Sequence, residues 1–371
     1  MKQIFYSNKR ILESGAEYML QLGERSNGKS YSDKYYLLWN AYHEKDAYTG
    51  EPLDRYQFAY IRRWDLEIKG RDVEQYFADM PISKITDGLF DLVTVYQRRI
   101  YFAHTDPETG RALRGKEIGH CFAITQETHY KSLAFPKVGF AIFEEFITDS
   151  GYLEKEPARL FNLLSTIFRR RSGRVFLVGN TISRACPYFG EWVPGVLRQD
   201  KGTICIYTHD TDQVDEKGEP VTIRIAVEFC ENSGNNTKMF FGQKSKMITS
   251  GDWESDVQPH LEYYLDDYTR ITDMIFEADG LAYRAQLLID PKRRPLVYVY
   301  PMNEITEKER KTKRIISDLY TLNVNQTRGW VDNRFKYDKI YMTLLSAGKV
   351  AFSDNLTGTE FLLMLKNHGL L

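Results

Sequence analysis

Eight residues near the start of the chain, Gly23-Glu24-Arg25-Ser26-Asn27-Gly28-Lys29-Ser30, constrain its fold more than any other stretch. They satisfy G-x-x-x-x-G-K-[ST], the spacing of a phosphate-binding loop. Gly23 and Gly28 let the backbone turn so that successive N–H groups face inward, a nest for anionic oxygens. Lys29 is placed to neutralise β- and γ-phosphates, and Ser30 offers a hydroxyl to Mg²⁺. Such a loop needs a strand before it and a helix after it, with the helix's positive end on the same phosphates. Residues 17–22 read as the strand and residues 32–42 as the helix.

A phosphate loop also needs an acid at the end of a neighbouring strand. Residues 138–143 form a nearly all-apolar run that suits a central parallel strand, and Glu144-Glu145 closes it. Glu144 stands where the Mg²⁺-associated acid of a Walker B strand belongs, although aspartate is usual there. Glu145 stands where a carboxylate could polarise an attacking water. The alternative is a plain acidic pair at a strand end. Residues 158–168 carry apolar side chains at helical spacing and run into Arg169-Arg170-Arg171, with Arg174 beyond. Those cations suit either a helix C-terminus or a charge-stabilising finger for a neighbouring copy's γ-phosphate. Asn180, after the strand 175–178, is either a phosphate sensor or a turn former.

Strands at 58–61, 92–103 and 112–124, with a helix at 73–78, complete an alternating pattern through residue 200. The prediction is an α/β fold with a mainly parallel sheet. After residue 200 the texture changes. Residues 210–220 are polar and turn-rich, so 201–255 reads as a connector and 256–371 as a smaller α+β domain. There, strands are expected at 283–289, 296–300 and 350–352, and helices near 307–317, 337–346 and 359–367.

Composition excludes several classes. The 371 residues carry a formal net charge of −1, unlike the basic excess of a static nucleic-acid binder. Cys121, Cys186, Cys205 and Cys230 form no C-x-x-C pair and match no zinc spacing, which suggests reduced thiols. No run of about 18 apolar residues is present to span a membrane, and Met1-Lys2-Gln3-Ile4 opens no signal peptide. Asp210, Asp212 and Asp215 are followed by no EF-hand loop and read as a solvated turn.

Taken together, the stations resemble the DNA-encapsidation ATPases of small tailed phages, the phi-29-type packaging motors. The matching stretches are Phe5-Tyr6, the loop from Gly23 to Tyr31, Tyr60-Ile61-Arg62-Arg63, Lys131-Ser132, Phe135-Pro136, Ile142-Phe143-Glu144-Glu145-Phe146-Ile147, Phe168-Arg169, Gly179-Asn180 and Pro187-Tyr188-Phe189. The resemblance implies a P-loop ATPase domain of the ASCE type over residues 1–200, with a vestigial RNase H-like nuclease fold at 256–371. It implies ATP and Mg²⁺ at Gly23, Glu24, Arg25, Ser26, Asn27, Gly28, Lys29, Ser30 and Tyr31, with Glu144 on the metal. Glu145 is then the catalytic carboxylate and Arg169 a finger given in trans, with Arg171 the fallback. Lys131 is a second basic residue offered across the interface, Asn180 a sensor or coupling residue, and Phe5 and Tyr6 either a wall for adenine or core packing. The implied partners are double-stranded DNA, further copies of the chain in a ring (a pentamer by analogy) and the procapsid portal, with docking either through a structural RNA or through the portal alone. The expected setting is the host cytoplasm, without a membrane. The rival readings are another P-loop DNA pump and a non-catalytic ATP-binding assembly protein.

Candidate DNA contacts are Arg62, Arg63, Lys244, Lys246, Lys292, Arg293, Arg294, Lys311, Lys313 and Arg314, each also readable as a surface charge. Asp290, Asp332 and Asp354 are the carboxylates a nuclease would need, without a supporting pattern.

Overall fold

In the computed structural model, residues 5–149, 151–193, 195–214, 218, 220–231, 256–318, 324–328 and 335–371 are described. Their apolar runs form nine strands of one sheet: β1 (Tyr18–Leu22), β2 (Gln57–Arg62), β3 (Leu92–Tyr96), β4 (Arg99–Thr105), β5 (Ala112–Ala123), β6 (Val138–Glu144), β7 (Arg174–Val178), β8 (Ile204–Val214) and β9 (Pro220–Phe229). Their order is β3-β4-β5-β2-β6-β7-β1-β9-β8. The six strands from β5 to β9 in that order pair in parallel, and an antiparallel strand or hairpin closes each edge. Every residue of β6 is buried, which is why its sequence is continuously apolar rather than alternating. The helix Lys29–His43 packs Tyr36, Leu37, Leu38 and Ala41 into one core with Phe58, Tyr60, Phe140 and Phe176.

Several expectations change. The stretch 92–103 is two strands, because Gln97 and Arg98 both take positive φ (48° and 63°) and turn the chain back on itself. Residues 204–229 are no connector: β9 pairs in parallel with β1, and β8 pairs with β9. The polar stretch after Asp210 stays extended to Val214 because an edge strand buries one face only. The rest of that connector, residues 232–255 with Lys244 and Lys246, lies outside the described residues, as do Asp215 and Asp332.

Two compact units divide the described residues. Those of 148–154, 181–197 and 253–371 form the second unit, so the sequence boundary at residue 200 gives way to an interleaved one. The second unit holds β10 (Thr269–Ala278), β11 (Leu281–Ile289), β12 (Pro295–Met302), β13 (Arg314–Ser317), β14 (Gln326–Thr327) and β15 (Val350–Phe352), in the order β14-β13-β10-β11-β12-β15. β10, β11 and β12 form an antiparallel meander; β13 and β14 run parallel to β10, and β15 parallel to β12. β10 was not anticipated, although Asp279-Gly280 is a two-residue hairpin turn with both φ positive (54° and 77°). The helix expected at 307–317 ends at Thr312 and gives way to β13. No helix among the described residues is long and apolar enough to cross a membrane.

Gly119 on β5 lets β2 approach closely: a Cβ there would lie 2.3 Å from the Phe58 carbonyl oxygen. Gly119→Ala should therefore cost about 2 kcal/mol or more, read as a lowered Tm of the full chain. An unchanged Tm would show that β2 and β5 separate freely.

Candidate functional site

The phosphate loop stands at the C-terminal end of β1, and its backbone takes the shape its glycines permit. Gly23 has φ 151° and Gly28 φ 98°, and Ser26 between them is also left-handed at 61°. Lys29 is buried, with its Nζ donating to the Glu24 carbonyl at 2.7 Å and to Asn27 Oδ1 at 3.3 Å. Asn180, just beyond β7, places its Oδ1 3.5 Å from the same ammonium. Burial pulls the Lys29 ammonium below its ordinary value, while nearby acids including Glu144 oppose that shift. Such a buried cation, surrounded by neutral acceptors, fits an anionic phosphate oxygen. Phe5 and Tyr6 lie on the loop as well. The Tyr6 amide donates to the Asn27 carbonyl at 3.0 Å, and a Cβ on Gly28 would meet the Phe5 ring at 3.6 Å. Arg25 and Tyr31 are exposed at the loop's rim.

Glu144 is the last residue of β6 and is buried. Its Oε2 accepts from Ser30 Oγ at 3.1 Å and its Oε1 from the Tyr76 hydroxyl at 2.6 Å. Burial pushes its carboxyl up, and the Tyr76 and Ser30 hydrogen bonds pull back. A hydroxyl and a carboxylate oxygen side by side are the donor set that Mg²⁺ takes at a phosphate loop. Glu145 follows in the left-handed region (φ 56°), which swings its side chain out to solvent. There it meets Arg62 at 2.8 Å, and Arg62 also holds Glu67 at 2.6 Å. Arg63 is the reason the turn holds its shape. It grips buried Glu156 through two bonds, at 2.7 and 2.9 Å, and donates to the carbonyls of Glu145 and Phe146. Neither arginine is a free surface cation: carboxylates distant in sequence hold both, and such pairing leaves no local sequence signal.

Arg169 and Lys131 come together, but not at this site. The Arg169 Nη2 donates to the carbonyls of Lys131 at 3.0 Å and Leu133 at 2.6 Å. Both follow from the topology. Arg169 ends the helix Glu156–Phe168 and precedes β7, whereas the phosphate loop, Glu144 and Asn180 follow the C-terminal ends of β1, β6 and β7. The five residues of β7 span about 17 Å, so Arg169 is at the far end of the sheet from Lys29 in its own copy. Arg171 is a structural cation, donating to the carbonyls of Phe135, Pro136, Ile167 and Phe168.

Other sequence candidates are also engaged. Arg294 pairs with Asp290 and Glu262, Lys313 with Asp273, and Arg314 with buried Asp338. Arg293 and Lys311 are exposed, and Lys292 lies 5.8 Å from the Tyr263 ring. Asp290 accepts from the Arg294 backbone and side chain, and Asp354 caps the last helix by accepting from Thr357 N at 2.8 Å. Both are turn and cap residues. The carboxylates that do converge in this unit, Asp279 and Asp318 beside His368, were not anticipated; Asp279 pairs with His368 at 3.3 Å.

Residues 1–201 match the family described as podovirus DNA encapsidation protein (Gp16). The DNA packaging protein of Bacillus phage phi29 is 30% identical over 197 residues, which is 51% of this chain and 50% of that protein. The chain thus spans about half the length of the curated relatives it matches. Among solved structures, a chain of the bacteriophage phi-29 viral genome packaging motor assembly superposes with a TM-score of 0.51 at 23% identity, covering 98% of this chain and 99% of its own. A chain of the phi-28 DNA packaging motor gives 0.50 at 18%, covering 99% and 98%. At those identities the likeness is one of fold.

Asp33, one turn beyond Lys29, is fully buried under the loop and accepts from Asn8 at 2.8 Å and Gln21 at 3.0 Å. Burial raises its carboxyl to about 7, against those two hydrogen bonds. A carboxyl raised on folding stabilises the fold fully below its unfolded value near 4, and that contribution fades as pH rises toward 7. The Tm advantage of Asp33→Asn over the parent should therefore grow between pH 5 and pH 8, by on the order of 2 kcal/mol in stability. A pH-independent difference would mean that Asp33 is charged throughout.

Proposed function

This chain belongs to the podovirus DNA encapsidation proteins, and on that premise we propose that it is an ATP-driven translocase that packages double-stranded DNA into a procapsid. Copies of the chain form a ring, a pentamer by analogy with the family, on the portal, with a structural RNA as a further docking partner. One observation carries the reading. The phosphate loop and the Arg169–Lys131 pair lie at opposite ends of the same parallel strands, so a complete site needs the loop of one copy and the cations of the next.

In that site the inward N–H groups of residues 23–28 and Lys29 hold the β- and γ-phosphates. Ser30 and Glu144 would hold Mg²⁺, which would supply positive charge to neutralise the phosphates. Glu145 orients the attacking water once its carboxylate leaves Arg62, and Asn180 reports on the γ-phosphate beside Lys29. Arg169 of the adjoining copy, with Lys131, stabilises charge as the phosphoryl group departs. Near-neutral net charge suits a grip that must release, because each neutralised phosphate adds to binding. For the second unit we propose a vestigial RNase H-like nuclease fold. Its meander flanked by parallel β13 and β14 supports this, and the turn and cap roles of Asp290 and Asp354 support the loss of cleavage.

The deciding experiment is ATP hydrolysis across a protein concentration series, with and without double-stranded DNA. Turnover per subunit that rises with both is expected; binding of ATP without turnover would point to an assembly protein instead. Glu145→Gln should bind ATP and lose at least about 100-fold in turnover; retained turnover would remove Glu145 from the mechanism. Mixing Arg169→Ala with Lys29→Ala subunits should restore part of the activity that each lacks alone, and no restoration at any ratio would rule out a site shared in this way.

A further inference from the structure

The position occupied by Glu144 is one where aspartate is usual, and the longer side chain poses a physical problem. It adds about 1.5 Å of reach and one more rotatable bond. A glutamate free to choose rotamers would present its oxygens to a metal over a range of positions, and each turnover would begin by ordering it. The surroundings of Glu144 remove that freedom.

We propose that Tyr76 is a positioning residue for Glu144: its hydroxyl holds Oε1, so that Oε2 alone faces Ser30 and the metal, as one oxygen of an aspartate would. The inference rests on the reading of Ser30 and Glu144 as the metal-side pair. Five contacts carry it. The Tyr76 hydroxyl donates to Oε1 at 2.6 Å while Ser30 Oγ donates to Oε2 at 3.1 Å, so the two oxygens are held by different elements. The Tyr76 ring lies 4.7 Å from that of Tyr60 on β2, the strand paired with β6. Lys34 sits 4.7 Å above the same ring and donates to the Tyr76 carbonyl at 2.7 Å. Lys34 falls one helical turn after Ser30, on the same face of the helix Lys29–His43.

That last placement makes the arrangement a closed clamp. One helix face touches Glu144 directly through Ser30 and indirectly through Lys34 and Tyr76. The helix Gly70–Phe77 supplies the tyrosine, whose hydroxyl reaches the carboxylate. A phenol is protonated at neutral pH and so serves as the donor in this bond. A phenylalanine at this position would fill the same space and leave Oε1 buried without that partner.

The test uses the full chain and two readouts: the Mg²⁺ concentration giving half-maximal ATP turnover, and binding of a fluorescent ATP analogue without Mg²⁺. Tyr76→Phe should raise the half-maximal Mg²⁺ concentration about tenfold or more and leave Mg²⁺-free nucleotide binding unchanged. In a Glu144→Asp background, whose shorter side chain stands back from the hydroxyl, the same substitution should shift it less than about threefold. An unaltered Mg²⁺ requirement in Tyr76→Phe, or an equal shift in both backgrounds, would overturn the positioning role. Glu144→Ala separates the two layers of argument. A normal Mg²⁺ requirement there would bring down the metal-side reading itself, whereas a lost Mg²⁺ response alongside an unaffected Tyr76→Phe would sink the positioning role alone.

Discussion

The site depends on the register of four parallel strands. Glu144 on β6 is level with Val178 on β7, Val178 with Gln21 on β1, and Gln21 with Glu228 on β9. That single row sets the height at which the loop 23–30 leaves β1, Glu144 ends β6 and Asn180 follows β7. Strand side chains alternate faces, so a slip of one residue would turn Glu144 to the other side of the sheet and break its bond to Ser30. The apolar residues of β1, β6 and β7, buried on both faces, prevent the slip. Core packing in this chain is thus what aims the chemistry.

The first unit also holds charge where water is scarce. Lys29, Asp33, Glu144 and Glu156 are all buried within the first unit. Isolated, each would cost several kcal/mol, and the structure answers each one differently. Glu156 has Arg63 in a two-bond pair. Glu144 has two hydroxyls, Asp33 two amides and Lys29 only neutral oxygens. Glu156 and Arg63 form a closed structural pair. Lys29 and Glu144 are left partly compensated, and a phosphate and a metal would complete them. The difference between a satisfied and an unsatisfied buried charge separates the scaffold of the site from its working end.

Much of this was legible because it is written locally. The loop 23–30 carries its own spacing, and Val138-Gly139-Phe140-Ala141-Ile142-Phe143 announces a buried strand by being apolar without interruption. What stayed hidden was long-range. The sequence placed 201–255 in a connector because Asp210 and its neighbours look like a turn, yet β9 must bond along β1 to complete the sheet, and pairing across some two hundred residues leaves no local trace. Tyr76 read as an ordinary helical residue, because its value lies in reaching Glu144, 68 positions away. Arg62, Arg63 and Arg314 looked like free cations because their carboxylates come from other elements.

The sheet topology has a consequence for assembly. In a parallel α/β layer, loops that follow strands and loops that follow helices emerge at opposite ends. Anything built at the C-terminal ends of β1, β6 and β7 is therefore separated by a strand's length from Arg169, which follows the helix Glu156–Phe168. Side-chain motion does not close a gap of about 17 Å, since an extended arginine reaches less than half of it. Arg169 either serves only its own helix end, holding the Lys131 and Leu133 carbonyls, or it works on a different copy. Its carbonyl contacts fix the guanidinium on the surface beside exposed Lys131, which presents two cations outward together. In its own copy this pair meets no phosphate loop, so the proposed site requires the loop of a second copy to be brought against it.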